Sequence, residues 1–361
     1  MGLFILRRVG VMILTAFCLT FVVFFMTNLY PNLEKLAKTQ LDMRTPDEQV
    51  QRWLEWNGYL QPMPVKYGQW LGVLPGYTSV NTNGEAFSRC ARPGQPAAEA
   101  PTYCGVLQGD WGWSTRLREP VSDIIKTRLA ATGALMFWVM MLMVPGALLL
   151  GVLAGMREGS ATDRSLSSFA ILTTATPEYV SGVIFISLLG ISASPINQFL
   201  VEAGWISGRT LFLGSAASAM NQITFQNFFL PVLTIALYGM GYIARMTRAS
   251  MAEVMTAQYI RTARLKGVSF PKIVLRHALR NALIAPFTVI MLQFPWLLNG
   301  VVIVETLFNY KGFGWALVEA ASNNDIELLL GVSVVSVFVV LVTQLISDIG
   351  YVYLNPRIKV S

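Results

Sequence analysis

Six long apolar runs alternate with polar stretches along this chain, at about residues 9–29, 129–156, 166–191, 228–244, 285–304 and 328–354. A bilayer core of roughly 30 Å takes about 20 such residues per helix, so the pattern predicts six transmembrane helices. The third and sixth runs each carry one acid, Glu178 and Asp348. Shorter amphipathic patterns predict helices at 48–56 and 121–129. Between them, residues 75–105 are rich in Gly, Pro, Ser, Ala and Asn and read as a loop-like insertion.

Composition narrows the class. Of 361 residues, 54% are hydrophobic and 13% charged, with a mean hydropathy of +0.52. A soluble domain carries roughly a quarter charged residues, so soluble, disordered, collagen-like and disulfide-scaffold classes are excluded. The net charge of +7 is compatible with nucleic acid until the charges are sorted by loop. One side of the predicted membrane holds fourteen Lys and Arg in short segments, eight of them within residues 245–280, whereas the opposite short loops hold only Arg209 and Lys311. The positive-inside rule then predicts both termini in the cytoplasm. The first run follows Arg7 and Arg8 as a signal peptide would. It exceeds the roughly 7 to 15 residues of such a signal and no small-residue cleavage site precedes Pro31, so a retained anchor is expected. The expected organisation is a tail and first helix at 1–30, an outside segment at 31–127, a five-helix core at 128–355 and a tail at 356–361. Residues 34–128 are nearly neutral, with 11 basic against 10 acidic residues.

Cys90 and Cys104 fall in the outside insertion, where oxidation is permitted, and are expected to form a disulfide; the alternative is two small unpaired residues. Cys18, inside the first run, is expected to pack. Trp53, Trp56, Tyr59, Tyr67, Trp70, Trp111 and Trp113 are expected to form an interfacial belt, with contact to a soluble partner as the alternative. The single His, His277, has no acid or nucleophile beside it in sequence and reads as a packing residue; no spacing suggests a metal site. Glu178 follows Pro177, which bends a helix, and is a candidate pathway residue able to meet a cationic solute group, or else bonds a neighbouring helix. Asp348 is expected to pair with a cytoplasmic Arg.

Residues 245–286 are the most informative. Helix-forming composition at 251–266 precedes Gly267, which can take the left-handed conformation that ends a helix; Ser269 can cap the next one, with Pro271 in its first turn. A basic corner between two helices is predicted at about 250–285. It could serve generic topology or anionic lipid, but Ala263 and Gly267 at the apex favour close approach of another protein.

This stretch resembles the EAA loop of ABC importer permeases, in the form found in the dipeptide, oligopeptide and nickel subfamily. Tyr259 to Gly267 is similar to Y-x-R-T-A-R-x-K-G, and Arg276 to Ala282 to R-H-A-x-R-N-A. FILRR at the start, GDWGWS at 109–114, residues 230–251, residues 304–320 and the terminal Asn355-Pro356-Arg357 extend the likeness. Asn355 replaces the usual Asp, and the Cys-bearing insertion departs from shorter members.

The resemblance implies an all-α polytopic membrane protein of the type I importer fold in a bacterial inner membrane, with a large periplasmic segment after its first helix. It implies a permease subunit translocating di- or oligopeptides or peptide-like solutes delivered by a periplasmic binding protein; import of nickel or another small solute is the alternative within the family. The implied partners are a second homologous permease, two cytoplasmic ATPases and membrane lipid. The sequence has no G-x-x-x-x-G-K-[ST] phosphate loop, so ATP and Mg are expected on the ATPases, no cofactor on this chain, and no nucleic-acid partner. By resemblance, Tyr259, Arg261, Thr262, Ala263, Arg264, Lys266 and Gly267 form the ATPase-coupling loop, with Arg245, Arg248 and Arg280 as interface anchors. Glu305, Phe308, Gly312 and Gly314 fall near the outer gate. An ion-coupled transporter acting alone is disfavoured by the few buried charges and the lack of an inverted repeat. A membrane enzyme is disfavoured by the lack of a nucleophile, base and acid constellation.

Overall fold

A computed structural model describes residues 2–80, 86–91 and 95–354, with side chains described except at 2–5, 294–300 and 351–354. The sequence motif 355–357 lies outside the described residues. In chain order the elements are helices α1 (Gly2–Thr27), α2 (Tyr30–Gln40), α3 (Asp47–Trp56) and α4 (Met63–Leu71), then strands β1 (Thr78–Val80) and β2 (Ala86–Ser88). Helices α5 (Val121–Gly155), α6 (Ala161–Ala175), α7 (Glu178–Phe185), α8 (Pro195–Glu202) and α9 (Phe225–Met255) follow. The chain continues through α10 (Gln258–Leu265), α11 (Phe270–Lys272), α12 (Leu279–Ala282), α13 (Ile284–Leu307), α14 (Phe313–Ser322) and α15 (Ile326–Leu354). Among the described residues five helices are long and apolar enough to cross a membrane, or six if the pair Phe270–Ala282 and Ile284–Gln293, bent by 53°, counts as one span.

The expected third span, 166–191, is not one helix. Thr176 and Pro177 are extended, so the chain breaks between α6 and α7, and a π-helical turn over Ile186–Gly190 follows. Pro177 lacks the N–H that would continue α6 and restricts the residue before it. The fourth span is longer than its apolar run: α9 continues past Ala244 to Met255, because the polar residues beyond Ala244 are good helix formers with partners of their own. The single helix expected at 251–266 is accordingly two, parted at Thr256 and Ala257.

The chain divides into two compact units, one of residues 9–129 and 316–339, the other of residues up to 8, 130–315 and from 340 on. In the first, α1 to α4 and the start of α15 bury Phe24, Leu36, Leu54, Trp70, Ile326 and Leu330 in one core. Tyr67 is ringed by Phe17, Phe21 and Phe24 at centroid distances of 5.2–5.8 Å, and shares a 2.8 Å hydrogen bond with Thr20. Tyr67 and Trp70, expected in an interfacial belt, are therefore core residues: their large rings on α4 pack with Leu36, Leu54 and Ile326 in the same cluster. Cys18, expected to pack, lies on the exposed face of α1. In GDWGWS, the buried Ser114 donates to Asp325 Oδ2 at 2.5 Å, and Asp325 also accepts from the Arg116 and Leu328 N–H groups, capping α15.

β1 and β2 pair antiparallel, and Cys90 and Cys104 are joined by a disulfide across 14 positions. A loop of that length restrains the unfolded chain by about 3 kcal/mol. Unreduced protein is expected to migrate faster on gels than reduced protein, and Cys104→Ala to abolish the difference. Identical mobility with a labelled thiol at Cys90 would contradict the bridge.

In the second unit α9 is central, packing against α6, α7 and α13. A Cβ at Gly155 would stand 2.6 Å from both the Arg248 carbonyl oxygen and Met251 Cβ, and one at Gly151 would strike Thr247. The Gly151-x-x-x-Gly155 pair thus lets α5 and α9 meet backbone to backbone, the small-residue packing that replaces hydrophobic drive inside lipid.

Candidate functional site

The basic corner is α10 and the turn that follows it. Apolar positions at 260 and 263 place Ile260, fully buried, and the half-buried Ala263 on the inner face of α10. They rest on a cluster of Met251, Met255, Ile273, Val274 and Ala278. The helix ends in a Schellman motif: the Val268 N–H donates to the Ala263 carbonyl at 3.1 Å and the Gly267 N–H to Arg264 at 3.0 Å. Gly267 has φ +75, and nothing stands within 4 Å of where its Cβ would be. Its glycine is required by conformation, not by space within this chain. The outer face presents Tyr259, Arg261, Thr262, Arg264, Lys266 and Leu265, the last 81% exposed. Leu265 was missed by sequence reasoning; an apolar side chain in the last turn before Gly267 was the available signal.

Two contacts fix the corner's lateral position. Asn281 Nδ2 donates to Tyr259 Oη at 2.9 Å, joining the two halves of the matched motif, and Ser250 Oγ donates to the Ala282 carbonyl at 2.8 Å. His277 is half-buried in the π-helical turn over Ile273–Ala278.

One turn before the cluster, Arg248 binds Asp163 in a fork, Nε to Oδ1 at 2.6 Å and Nη2 to Oδ2 at 2.8 Å. Asp163 also accepts from the Gly159 N–H at 2.9 Å and Ser167 Oγ at 3.1 Å. The Arg248 hydrogen bond, aided by Gly159 and Ser167 against the opposing effect of burial, holds the carboxyl well below the usual carboxylate range. Sequence reading treated Arg248 as an interface anchor and passed over Asp163.

Arg245, one turn earlier in α9, lines a cleft of about 610 Å³ together with Thr174, Tyr238, Tyr242 and Gln293. These polar groups from α6, α9 and α13 stand on otherwise apolar helices, a composition suited to passing a hydrated solute. Glu178 begins α7 and is half-buried; it is not among the cleft residues. Asp348 pairs with Arg8 at 3.0 Å.

Glu305 and Phe308, expected near a gate, are fully buried and present no surface to a solute. Glu305 accepts from Thr132 Oγ1 and, at 2.9 Å, from the Trp315 N–H. A Cβ at Gly312 would fall on its carboxylate and one at Gly314 would stand 2.7 Å from Val302 Cα. Tyr310 Oη donates to the Ala131 carbonyl at 2.8 Å, and burial, with Glu305 nearby, pushes this phenol up to about 12. The four residues form an internal clasp that closes the turn after α13.

A bundle of apolar helices with a polar cleft and a basic corner anchored to its central helix defines a multi-pass membrane permease. The chain belongs to the binding-protein-dependent transport system inner membrane component family, whose model matches residues 147–360. It is 32% identical over 264 residues to a dipeptide transport system permease protein of Haemophilus influenzae, covering 71% of this chain and 79% of that one. An oligopeptide transport system permease protein of Bacillus subtilis is 32% identical over 256 residues, 70% of this chain and 77% of its own. A di/tripeptide transport system permease protein of Pseudomonas aeruginosa is 34% identical over 268 residues, 71% and 79% respectively.

Proposed function

We propose that this chain is one transmembrane subunit of an ATP-driven importer of di- or oligopeptides, with both termini in the cytoplasm and residues 31–127 outside. A binding protein delivers the solute, a second related permease completes the pathway, and two ATPases, carrying ATP and Mg, sit against the corner at 259–267. The observation that supports this reading most is the corner itself. Its inner face is seated on the helix that also lines the polar cleft, so a push on α10 reaches the cleft through packed side chains as a rigid-body shift. Arg261, Arg264 and Lys266 meet acidic or polar ATPase surface, while Leu265 enters an apolar recess there.

Affinity purification of the tagged chain from its own host is expected to bring down an ATPase and a second permease, and the reconstituted complex to take up labelled dipeptide only with ATP. Active, stable particles of this chain alone would overturn the reading.

A further inference from the structure

The unit that carries the disulfide encloses a cavity of about 270 Å³ that the transport reading leaves unused. Aromatic walls from Tyr59, Trp70 and Phe87 surround four charged residues, Lys66, Arg89, Asp110 and Glu327. Among the described residues, Lys66, Arg89 and Glu327 each have bonding capacity left unfilled. Lys66 is only 5% exposed, and its Nζ donates to one acceptor, the Tyr59 carbonyl at 2.9 Å, although an ammonium carries three donors. Arg89 Nη2 stands 3.8 Å from Glu327 Oε1, beyond hydrogen-bond reach. Glu327 Oε2 is buried with no hydrogen-bond partner among the described residues. The Arg89 and Glu327 side chains are partly exposed, at 27% and 22%, but the Lys66 ammonium and Glu327 Oε2 are buried, and buried charge left short of partners is costly unless a ligand completes it. Burial lowers the Lys66 pKa and Arg89 lowers it further; an incoming anion would relieve both effects.

We infer that this cavity binds a free α-amino acid with an aromatic or large aliphatic side chain, its carboxylate between Lys66 and Arg89 and its ammonium on Glu327. The close spacing of the guanidinium and the carboxylate matches a ligand whose two charges sit on one carbon, and the aromatic walls take the side chain. Arg89 immediately precedes Cys90, so the disulfide to Cys104, itself in the cavity wall, anchors the backbone from which Arg89 extends. The site lies in a different unit from the corner and goes beyond the transport reading.

The test is calorimetric titration of the full chain in lipid nanodiscs with L-phenylalanine, 3-phenylpropionate, which lacks the ammonium, and phenethylamine, which lacks the carboxylate. L-Phenylalanine is expected to bind saturably and each truncated analogue at least about tenfold more weakly, since each forfeits a charge-assisted pair. Lys66→Met and Glu327→Gln are expected to weaken L-phenylalanine by a similar factor. No saturable binding, or equal binding of either analogue to the unaltered chain, would overturn the inference without relying on a variant that folds. Binding is read directly and no uptake is involved, so failure of the peptide-importer reading would leave this result unaffected.

Discussion

Gly267→Pro is expected to cut peptide uptake by the reconstituted complex sharply while leaving the chain in the membrane at its normal level. Proline fixes φ near −65° and has no N–H, whereas Gly267 sits at φ +75 and donates to the Arg264 carbonyl. The Schellman closure is lost, α10 no longer ends where it does, and Leu265 and Lys266 are re-aimed. A local cost of about 3 kcal/mol falls on an exposed turn, so the spans stay intact and the loss is one of coupling. Uptake is expected to fall by about a hundredfold, the rate equivalent of some 3 kcal/mol, while ATP hydrolysis continues.

Gly267→Ala separates shape from contact. No atom of this chain lies within 4 Å of the added methyl, and the left-handed conformation costs alanine about 1 kcal/mol. A mild loss of uptake would trace to the backbone alone; a loss as deep as that of proline would mean that the methyl meets the ATPase. Ala263→Arg acts from beneath, forcing a charged side chain against the Met251 and Ile260 cluster, and is expected to uncouple in the same way. Uptake at the normal rate in both Gly267→Pro and Ala263→Arg, measured beside membrane abundance on immunoblots, would reject the docking assignment.

The legibility of this fold varied with the range of the interaction. Apolar runs depend only on local composition and marked the spans, and the helix stop at Gly267 was readable because its signal is a glycine at the end of an amphipathic pattern. The break at Pro177 was readable as a bend but not as two helices, since the outcome depends on how α6 and α7 each pack against α9. Glu305 depends on a long-range contact instead. Placed by resemblance near an outer gate, it is an interior acceptor for Thr132, 173 positions away, a pairing no local pattern announces. The charged cavity has the same origin. Lys66, Arg89 and Glu327 lie in an amphipathic helix, an insertion and the head of the last span, and each alone looks like an ordinary surface charge.

The Asp163–Arg248 fork joins residues 85 positions apart and gives the second large effect. Asp163 is 3% exposed at its side chain and Arg248 30%. Removing one member of a buried pair costs about 3–5 kcal/mol, and the partial exposure of Arg248 reduces this to about 2 kcal/mol. Asp163→Ala is therefore expected to lower the thermal midpoint of the purified chain, and Asp163→Leu combined with Arg248→Met to recover most of the loss, because no buried unpaired charge remains; Glu158, which also faces Arg248 at 3.8 Å, is exposed. The sign of the pH dependence follows from the depressed carboxyl. A depressed carboxylate contributes fully above its unfolded pKa of about 4 and loses that contribution as pH falls toward the lower folded value. The midpoint difference between wild type and Asp163→Asn is thus expected to be constant at neutral pH and to shrink below about pH 4; a difference that stays flat to pH 3 would show that packing, not charge, holds the start of α6 to α9. Because Arg248 lies one turn from Met251, whose side chain supports α10, the same variants are expected to lower uptake per ATP hydrolysed even at pH 7. A destabilised chain with unaltered coupling would separate the fork from the path by which the corner moves the spans.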